Sequence, residues 1–277
     1  MGLLSDDSRW MAAAIALSQR TRGQTAPNPN VGCVIVQQGR VIGRGWTRPG
    51  GRPHAEAVAL DQAGTAARGA TAYVTLEPCA HRSERGPACS DLLVAAGVAR
   101  VVYAIGDPDP RTDGLGEARL REAGIVVEIG VLGEEARAAM AGFLTRRAKG
   151  RPFVTLKLAT SLDGKIAMAS GESRWITGSQ ARAHVHLERA RHDAILVGRA
   201  TLEADSPRLD VRLPGLESRA PRRIVLTHGA APEGWEAVHD PADIAALEQV
   251  DHLFVEGGAG AAAAFLAADL VDRLLLY

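Results

Sequence analysis

Apolar and polar positions alternate along the chain in short blocks that predict helix and strand in turn. Trp10, Met11, Ile15 and Leu17 share one helical face after the cap-type residues 5–8, which predicts a first helix. Two β-type runs, residues 31–36 and 41–46, flank Gln38-Gly39 and predict a hairpin. A helix is expected from His54, a buried strand over 72–76, and a helix over 90–96 that stops at Gly97. Strands over 101–105 and 126–129, with helices around 117–122 and 134–144, continue the alternation of a layered α/β domain.

The basic, Gly- and Pro-containing stretch 146–152 breaks this pattern and reads as a linker. It divides the chain into expected domains of residues 1–148 and 149–277. Beyond it come a buried strand over 153–159, a turn at Ser161-Leu162-Asp163-Gly164-Lys165, a helix over 180–190, a strand over 194–198 and the segment 201–212. A strand over 253–256 leads through Gly257-Gly258-Ala259-Gly260 into an alanine-rich helix, and residues 271–277 read as a last strand. A chain of 277 residues with 46% hydrophobic content can fill two such cores.

Charge narrows the partners. The formal net charge is zero, which leaves no electrostatic footprint for a nucleic-acid backbone and favours a small-molecule substrate. No apolar run is long enough to span a bilayer and no charged-then-apolar leader opens the chain, so no membrane partner and a cytoplasmic location are expected. Three cysteines suit a reducing compartment better than a disulfide framework, and Cys33 lies in an apolar run as a core residue would. The sequence is compatible with a homo-oligomer but does not demand one.

The chemistry centres on Pro53-His54-Ala55-Glu56, with Glu77-Pro78-Cys79 and Cys89 further on. Hydrolytic deamination of a ring carbon needs hydroxide at neutral pH, and zinc with three protein ligands and one open position generates it from water. His54, Cys79 and Cys89 can supply the ligands, and Glu56 the proton shuttle. His-x-Glu followed by Pro-Cys and a second Cys is the zinc deaminase signature, although the usual Cys-x-x-Cys is here stretched to nine intervening residues. His81 ranks below Cys89 as a ligand, because adjacency to Cys79 strains tetrahedral chelation. A structural zinc in a non-catalytic protein would instead require a fourth protein ligand.

These residues carry a family resemblance. Asn28-Pro29-Asn30-Val31-Gly32-Cys33, Pro53-His54-Ala55-Glu56 and Thr75-Leu76-Glu77-Pro78-Cys79 resemble the deaminase half of the bifunctional riboflavin biosynthesis deaminase/reductases. Lys157-Leu158-Ala159-Thr160-Ser161-Leu162-Asp163-Gly164-Lys165, Gly171-Glu172-Ser173-Arg174-Trp175-Ile176-Thr177 and Glu256-Gly257-Gly258 are similar to the reductase half. The resemblance implies an α/β fold: a cytidine-deaminase-like three-layer domain followed by a dihydrofolate-reductase-like domain. It implies Zn2+ and NADPH as cofactors, and a phosphorylated diaminopyrimidinone as substrate. Deamination of the ring would be followed by reduction of the ribosyl group.

By the same resemblance, Asn28 falls at a substrate contact and the loop 80–88 at the substrate phosphate, with Arg82 and Arg85 both open as its partner. Ser173, Arg189, Leu209, Arg212 and Glu256 fall at substrate contacts of the second domain. Ala159, Trp175, Thr201, Asp205, Gly258, Ala259 and Gly260 fall at cofactor contacts. Arg189 and Arg212 offer the forked donors that suit a phosphate. Reductases of this family continue through further strands, so a C-terminally truncated second domain, with deamination as the one retained activity, is the second reading.

Overall fold

The structure, a computed structural model, describes residues 6–82, 84–167 and 176–277. It divides into two compact units, Met1–Arg147 and Ala148–Tyr277. In the first, α1 (Asp6–Ser18) precedes the hairpin of β1 (Gly32–Gln37) and β2 (Arg40–Trp46). Then come α2 (Ala55–Ala63), β3 (Thr71–Val74), α3 (Cys89–Ala96), β4 (Arg100–Tyr103), α4 (Leu115–Glu122), β5 (Val126–Ile129), α5 (Gly133–Ala139) and α6 (Ala141–Lys149). The sheet runs β2-β1-β3-β4-β5, with β1 antiparallel to both neighbours and β3, β4 and β5 parallel. Gln38 and Gly39 both have positive φ, 49° and 71°, the tight turn that matches strand twist in a two-residue hairpin.

Glycines decide how closely the helices approach this sheet. A Cβ on Gly43 would stand 2.2 Å from the carbonyl oxygen of Ala59, and one on Gly45 would stand 1.9 Å from that of Ala55. Bare backbone on β2 therefore lets α2 lie against the sheet, which fixes where His54 and Glu56 project. Gly32 does the same for α1, since a Cβ there would meet the Ala14 carbonyl oxygen at 1.9 Å. The centre of the α1 contact is accordingly Met11, Ala14 and Ser18, while Trp10, Ile15 and Leu17 only flank it.

Two further expectations change. The single helix expected over 134–144 is broken at Met140 (φ −111°), which is itself buried and receives a contact from Thr75 Oγ1 at 3.9 Å on its sulfur. Apolar periodicity continues across such a break, so it does not reveal it. Part of the expected linker is helical as well. Residues 146–149 complete α6 because Arg, Ala and Lys are good helix formers, and the helix ends only before Gly150, at φ 68°.

The second unit contains β6 (Phe153–Leu158), α7 (Ser179–Arg189), β7 (Ala194–Gly198), α8 (Arg199–Asp205), β8 (Arg222–Leu226), β9 (Glu236–Val238), β10 (His252–Val255), α9 (Ala259–Ala267) and β11 (Arg273–Leu276). Its sheet order is β11-β6-β10-β7-β8-β9, parallel throughout. Leu156, Leu196, Ile224, Leu253 and Phe265 form its centre. Strands β8 and β9 were not foreseen, although Ile224-Val225-Leu226 is a β-type run. β11 lies at the sheet edge with Leu274 and Leu276 exposed. Because β10 inserts between β6 and β7, the carboxyl ends of these three strands border one crevice, where open parallel sheets bind ligands.

Candidate functional site

In the first unit, His54 stands in extended conformation as the cap residue of α2, and Glu56 lies in the first turn behind it. Cys79 follows the end of β3 by a short loop, and Cys89 is the first residue of α3. Three separate elements thus deliver one donor atom each to one spot. His54 Nδ1 is 3.6 Å from Cys79 Sγ and 3.3 Å from Cys89 Sγ, and the Cys89 N–H donates to Cys79 Sγ at 3.3 Å. A tetrahedral zinc, with N and S donors at about 2.1 and about 2.3 Å, holds them about 3.6 Å apart, so the donor set fits zinc. Among the described residues no fourth His, Cys, Asp or Glu joins the cluster, which is the composition of an open site rather than a closed structural one. His81 stays outside it, with Nδ1 3.4 Å from Thr112 Oγ1.

The charges are arranged to move a proton. The Cys79 thiol is pulled down to about 4, first by the hydrogen bond from Cys89 and then by His54, against burial. Cys89 is pushed up by its neighbour and by burial. Glu56 is 3% exposed, and burial pushes its carboxyl up to about 7, the negative Cys79 adding to the shift and His54 opposing it. A carboxyl poised near neutrality can both accept and return a proton. Burial likewise keeps Cys33 a protonated core thiol.

His54, Glu56 and Cys79 open into a cavity of about 200 Å³ that is also lined by Asn28, Arg52, Leu76, His81, Arg85, Asp107, Asp109, Arg111, Phe143 and Arg147. Asn28 is held there by donating from Nδ2 to the Gly51 carbonyl at 2.7 Å. Of the two loop arginines, Arg85 lines the cavity and donates to the Gly50 carbonyl, whereas Arg82 is mostly exposed and pairs with Asp91 at 2.9 Å. The wall formed by Asp107, Asp109, Arg111 and Arg147 was missed from sequence. Its one signal is Asp107-Pro108-Asp109-Pro110, a turn-type stretch directly after a buried strand. Burial pushes Asp107 up to about 6, opposed by the hydrogen bond from the Asp109 N–H. Asp109 is held below the usual carboxylate range, chiefly by Arg111.

Below this wall lies Glu77, 3% exposed, whose carboxylate accepts the N–H groups of Asp107, Gly114 and Glu117 at 3.3, 3.1 and 3.1 Å. It ties the loop 106–117 to the strand end that leads into Cys79. Thr112 Oγ1, accepting from the Ala80 N–H at 3.4 Å, adds a second tie.

The second unit has a crevice of about 540 Å³ at the carboxyl ends of β6, β7 and β10. It gathers Ala159, Thr201, Asp205 and Gly258 with Arg189, Leu209, Arg212 and Glu256, eight of the residues singled out from sequence. Ala259 and Gly260 begin α9 at its edge without lining it, and Ser173 and Trp175 lie outside the described residues. Gly258 caps α9, and its N–H donates to Thr201 Oγ1 at 3.0 Å. A Cβ on Gly257 would meet that of Ala261 at 2.9 Å. The bare backbone at the positive end of α9 fits the phosphates of a dinucleotide such as NADPH.

One expectation about this crevice changes. The fork of Arg189 is spent inside the protein, since Nε and Nη2 donate to Glu256 at 2.8 and 2.9 Å and Nη1 donates to the Asp210 carbonyl at 2.9 Å. Arg189 therefore positions Glu256, whereas Arg212, with 64% of its side chain exposed, pairs through Nε with Asp210 at 3.3 Å and borders the crevice. Lys157 Nζ, 3.7 Å from Glu256, completes the charged floor and had not been singled out. Leu209 is buried with φ 52°, a left-handed conformation that the surrounding packing must hold.

Comparison with known proteins covers both units. Residues 4–105 match the family described as the cytidine and deoxycytidylate deaminase zinc-binding region, and residues 152–242 match the RibD C-terminal domain. The chain is 43% identical to the riboflavin biosynthesis protein RibD of Escherichia coli, across 98% of this chain and 87% of that protein. The solved structure of Acinetobacter baumannii RibD superposes with a TM-score of 0.85 at 41% identity, covering 98% of this chain and 86% of that one. A Thermotoga maritima diaminohydroxyphosphoribosylaminopyrimidine deaminase/5-amino-6-(5-phosphoribosylamino)uracil reductase superposes with a TM-score of 0.88 at 35% identity, with the same coverage. Sequence likeness across both halves, with a cytidine-deaminase-like and a RibD reductase fold in order, means that the chain belongs to the RibD family of riboflavin biosynthesis proteins.

Proposed function

We infer that this chain is a bifunctional enzyme of riboflavin biosynthesis. It hydrolytically deaminates 2,5-diamino-6-(5-phosphoribosylamino)pyrimidin-4(3H)-one and then reduces the ribosyl group with NADPH, giving 5-amino-6-(5-phosphoribitylamino)uracil. The observation that carries the reading is the His54–Cys79–Cys89 donor set with a buried Glu56 beside it. Membership of a family with both activities supports the rest.

We assign deamination to residues 1–148 and reduction to residues 149–277. His54, Cys79 and Cys89 would hold zinc, which when bound supplies a nucleophilic water at neutral pH. Glu56 is placed to deliver one proton to the ring nitrogen and to carry a second, from the added hydroxyl, to the amino group, which leaves as ammonia. Asn28 orients the ring, and Arg85 meets the phosphate. Ala159, Thr201, Asp205 and the turn Gly258-Ala259-Gly260, with Trp175 by the family resemblance, would hold NADPH, which when bound supplies hydride. Ser173, Leu209, Arg212 and Glu256 hold the substrate, with Arg189 fixing the Glu256 carboxylate. No helix among the described residues is long and apolar enough to cross a membrane. A cytoplasmic enzyme, without nucleic-acid partners and open to homo-oligomerisation, is the reading supported by the neutral charge and the free cysteines.

The test is mass spectrometry of the diaminopyrimidinone ribosylamino phosphate after incubation with zinc-loaded full chain and NADPH. The expected product is both deaminated and reduced. A product deaminated but not reduced removes the second activity, and an unchanged substrate overturns the reading.

A further inference from the structure

We propose that Arg111 and Arg147, both seated on the buried carboxylate of Asp109, form a phosphate clamp in the deaminase cavity that selects phosphorylated over unphosphorylated substrate. The proposal rests on the deaminase reading for the identity of the substrate, while the clamp itself is argued from its own geometry.

Asp109 is 4% exposed and lines the cavity. Arg111 grips it with one edge of its guanidinium, Nε to Oδ1 at 2.9 Å and Nη2 to Oδ2 at 2.6 Å. Arg147, arriving from α6, donates Nη2 to the same Oδ2 at 3.1 Å. The carboxylate is hidden, but the two arginine side chains are 61% and 41% exposed, so the anchor is inside and the cations reach outward.

A buried aspartate needs one cation to offset its desolvation. Here it has two, and because the buried carboxyl of Asp107 lines the same wall, the cluster offers an incoming anion spare N–H donors rather than a net positive charge. Arg111 spends two of its five N–H donors on the carboxylate and Arg147 spends one, so further donors on both are available in a geometry suited to a tetrahedral oxyanion. Arg147 also lies over the ring of Phe143, 5.4 Å from its centroid, and this ring lines the same cavity. The stacking limits the swing of a long side chain.

The wall is preorganised against the metal site. Glu77 and Thr112 tie the loop that carries Asp109 and Arg111 to the segment around Cys79 and Ala80, so phosphate held on Arg111 sets the distance from sugar to ring. Arg85 contributes from a different loop and is held by the Gly50 carbonyl. A phosphate monoester carries between one and two negative charges at neutral pH, more than Arg85 alone offsets.

Two experiments test the clamp. In the zinc-loaded full chain, Arg111→Gln should raise the deaminase KM for the phosphorylated diaminopyrimidinone about tenfold to hundredfold, the loss of a charge-assisted contact, with kcat and zinc content kept. The KM for the dephosphorylated compound should not move, and Arg147→Gln should act in the same sense. An equal rise for both compounds would mean a structural role for the cluster and would overturn the proposal, as would no rise at all. Independently, ribose 5-phosphate should slow phenylglyoxal labelling of Arg111 and Arg147, read peptide by peptide by mass spectrometry, while ribose should not. Unprotected arginines would overturn the clamp even in an active deaminase. Protection in a protein that does not deaminate would sustain the anion site and count against the deaminase reading instead.

Discussion

The cavity of the first unit and the crevice of the second place their chemistry in different ways. In the first, the working atoms come from short motifs whose neighbours in sequence are also neighbours in function: His54 and Glu56 share one helix start, and the backbone of Cys89 donates to the sulfur of Cys79. In the second, Lys157, Arg189, Thr201 and Glu256 come from four elements and meet only because a parallel sheet brings its strand ends together. The first site depends on what three side chains can bind. The second depends on whether its charges remain paired.

That difference orders the expected effects. Glu56→Gln should lower deamination about 10²- to 10⁴-fold, because it removes the proton shuttle and nothing else. Zinc content by elemental analysis, and reduction of a substrate supplied already deaminated, should not change. Glu256→Gln should act on stability as well as on chemistry. It leaves Arg189, only 10% exposed in its side chain, facing a neutral partner, at a cost of about 3 kcal/mol. Urea unfolding should show that loss, and reduction should fail while deamination survives. If both activities fell together, the contrast between the sites would be wrong.

Smaller effects sharpen the picture of how the first site is placed. Gly45→Ala would put a methyl 1.9 Å from the Ala55 carbonyl oxygen, and the shift of α2 should cost about 1–3 kcal/mol in thermal unfolding together with part of the deamination rate. The smallest effect is a pH effect remote from both sites. Arg100 holds Asp7 below its ordinary 3.8, first through their hydrogen bond and against burial. The folded value is the lower one, so the pair stabilises fully above the ordinary value and its contribution is lost as pH falls through the folded value. Asp7→Asn should cost about 1 kcal/mol or less at pH 7 and flatten the acid limb of a urea titration.

Legibility followed the same divide. His54, Glu56, Cys79 and Cys89 could be named from sequence because metal chemistry restricts residue type and spacing together. Asp109, Arg111 and Arg147 could not, because an aspartate in a turn and two arginines 36 residues apart look like solvated surface until the fold closes them on one another. Arg189, expected at a substrate contact with its fork on a phosphate, lines the crevice but spends that fork as a buried brace for Glu256. The α1 face is legible in part for a related reason: Trp10, Met11, Ile15 and Leu17 all pack on the core, but the closest contact runs through Ala14 against Gly32.

Local chemistry was thus a property of the sequence itself: the order of strands and helices, the hairpin at Gln38-Gly39 and the glycine turn before α9 rest on interactions within a few residues, and the zinc donors on the residue types that metal chemistry admits, although the fold must bring His54, Cys79 and Cys89 together across 25 to 35 residues. Tertiary structure alone decided which of many arginines face a cavity, which carboxylates are buried, and how near α2 stands to β2. Those outcomes depend on contacts between residues far apart in the chain, where desolvation and steric exclusion act only after the elements have met.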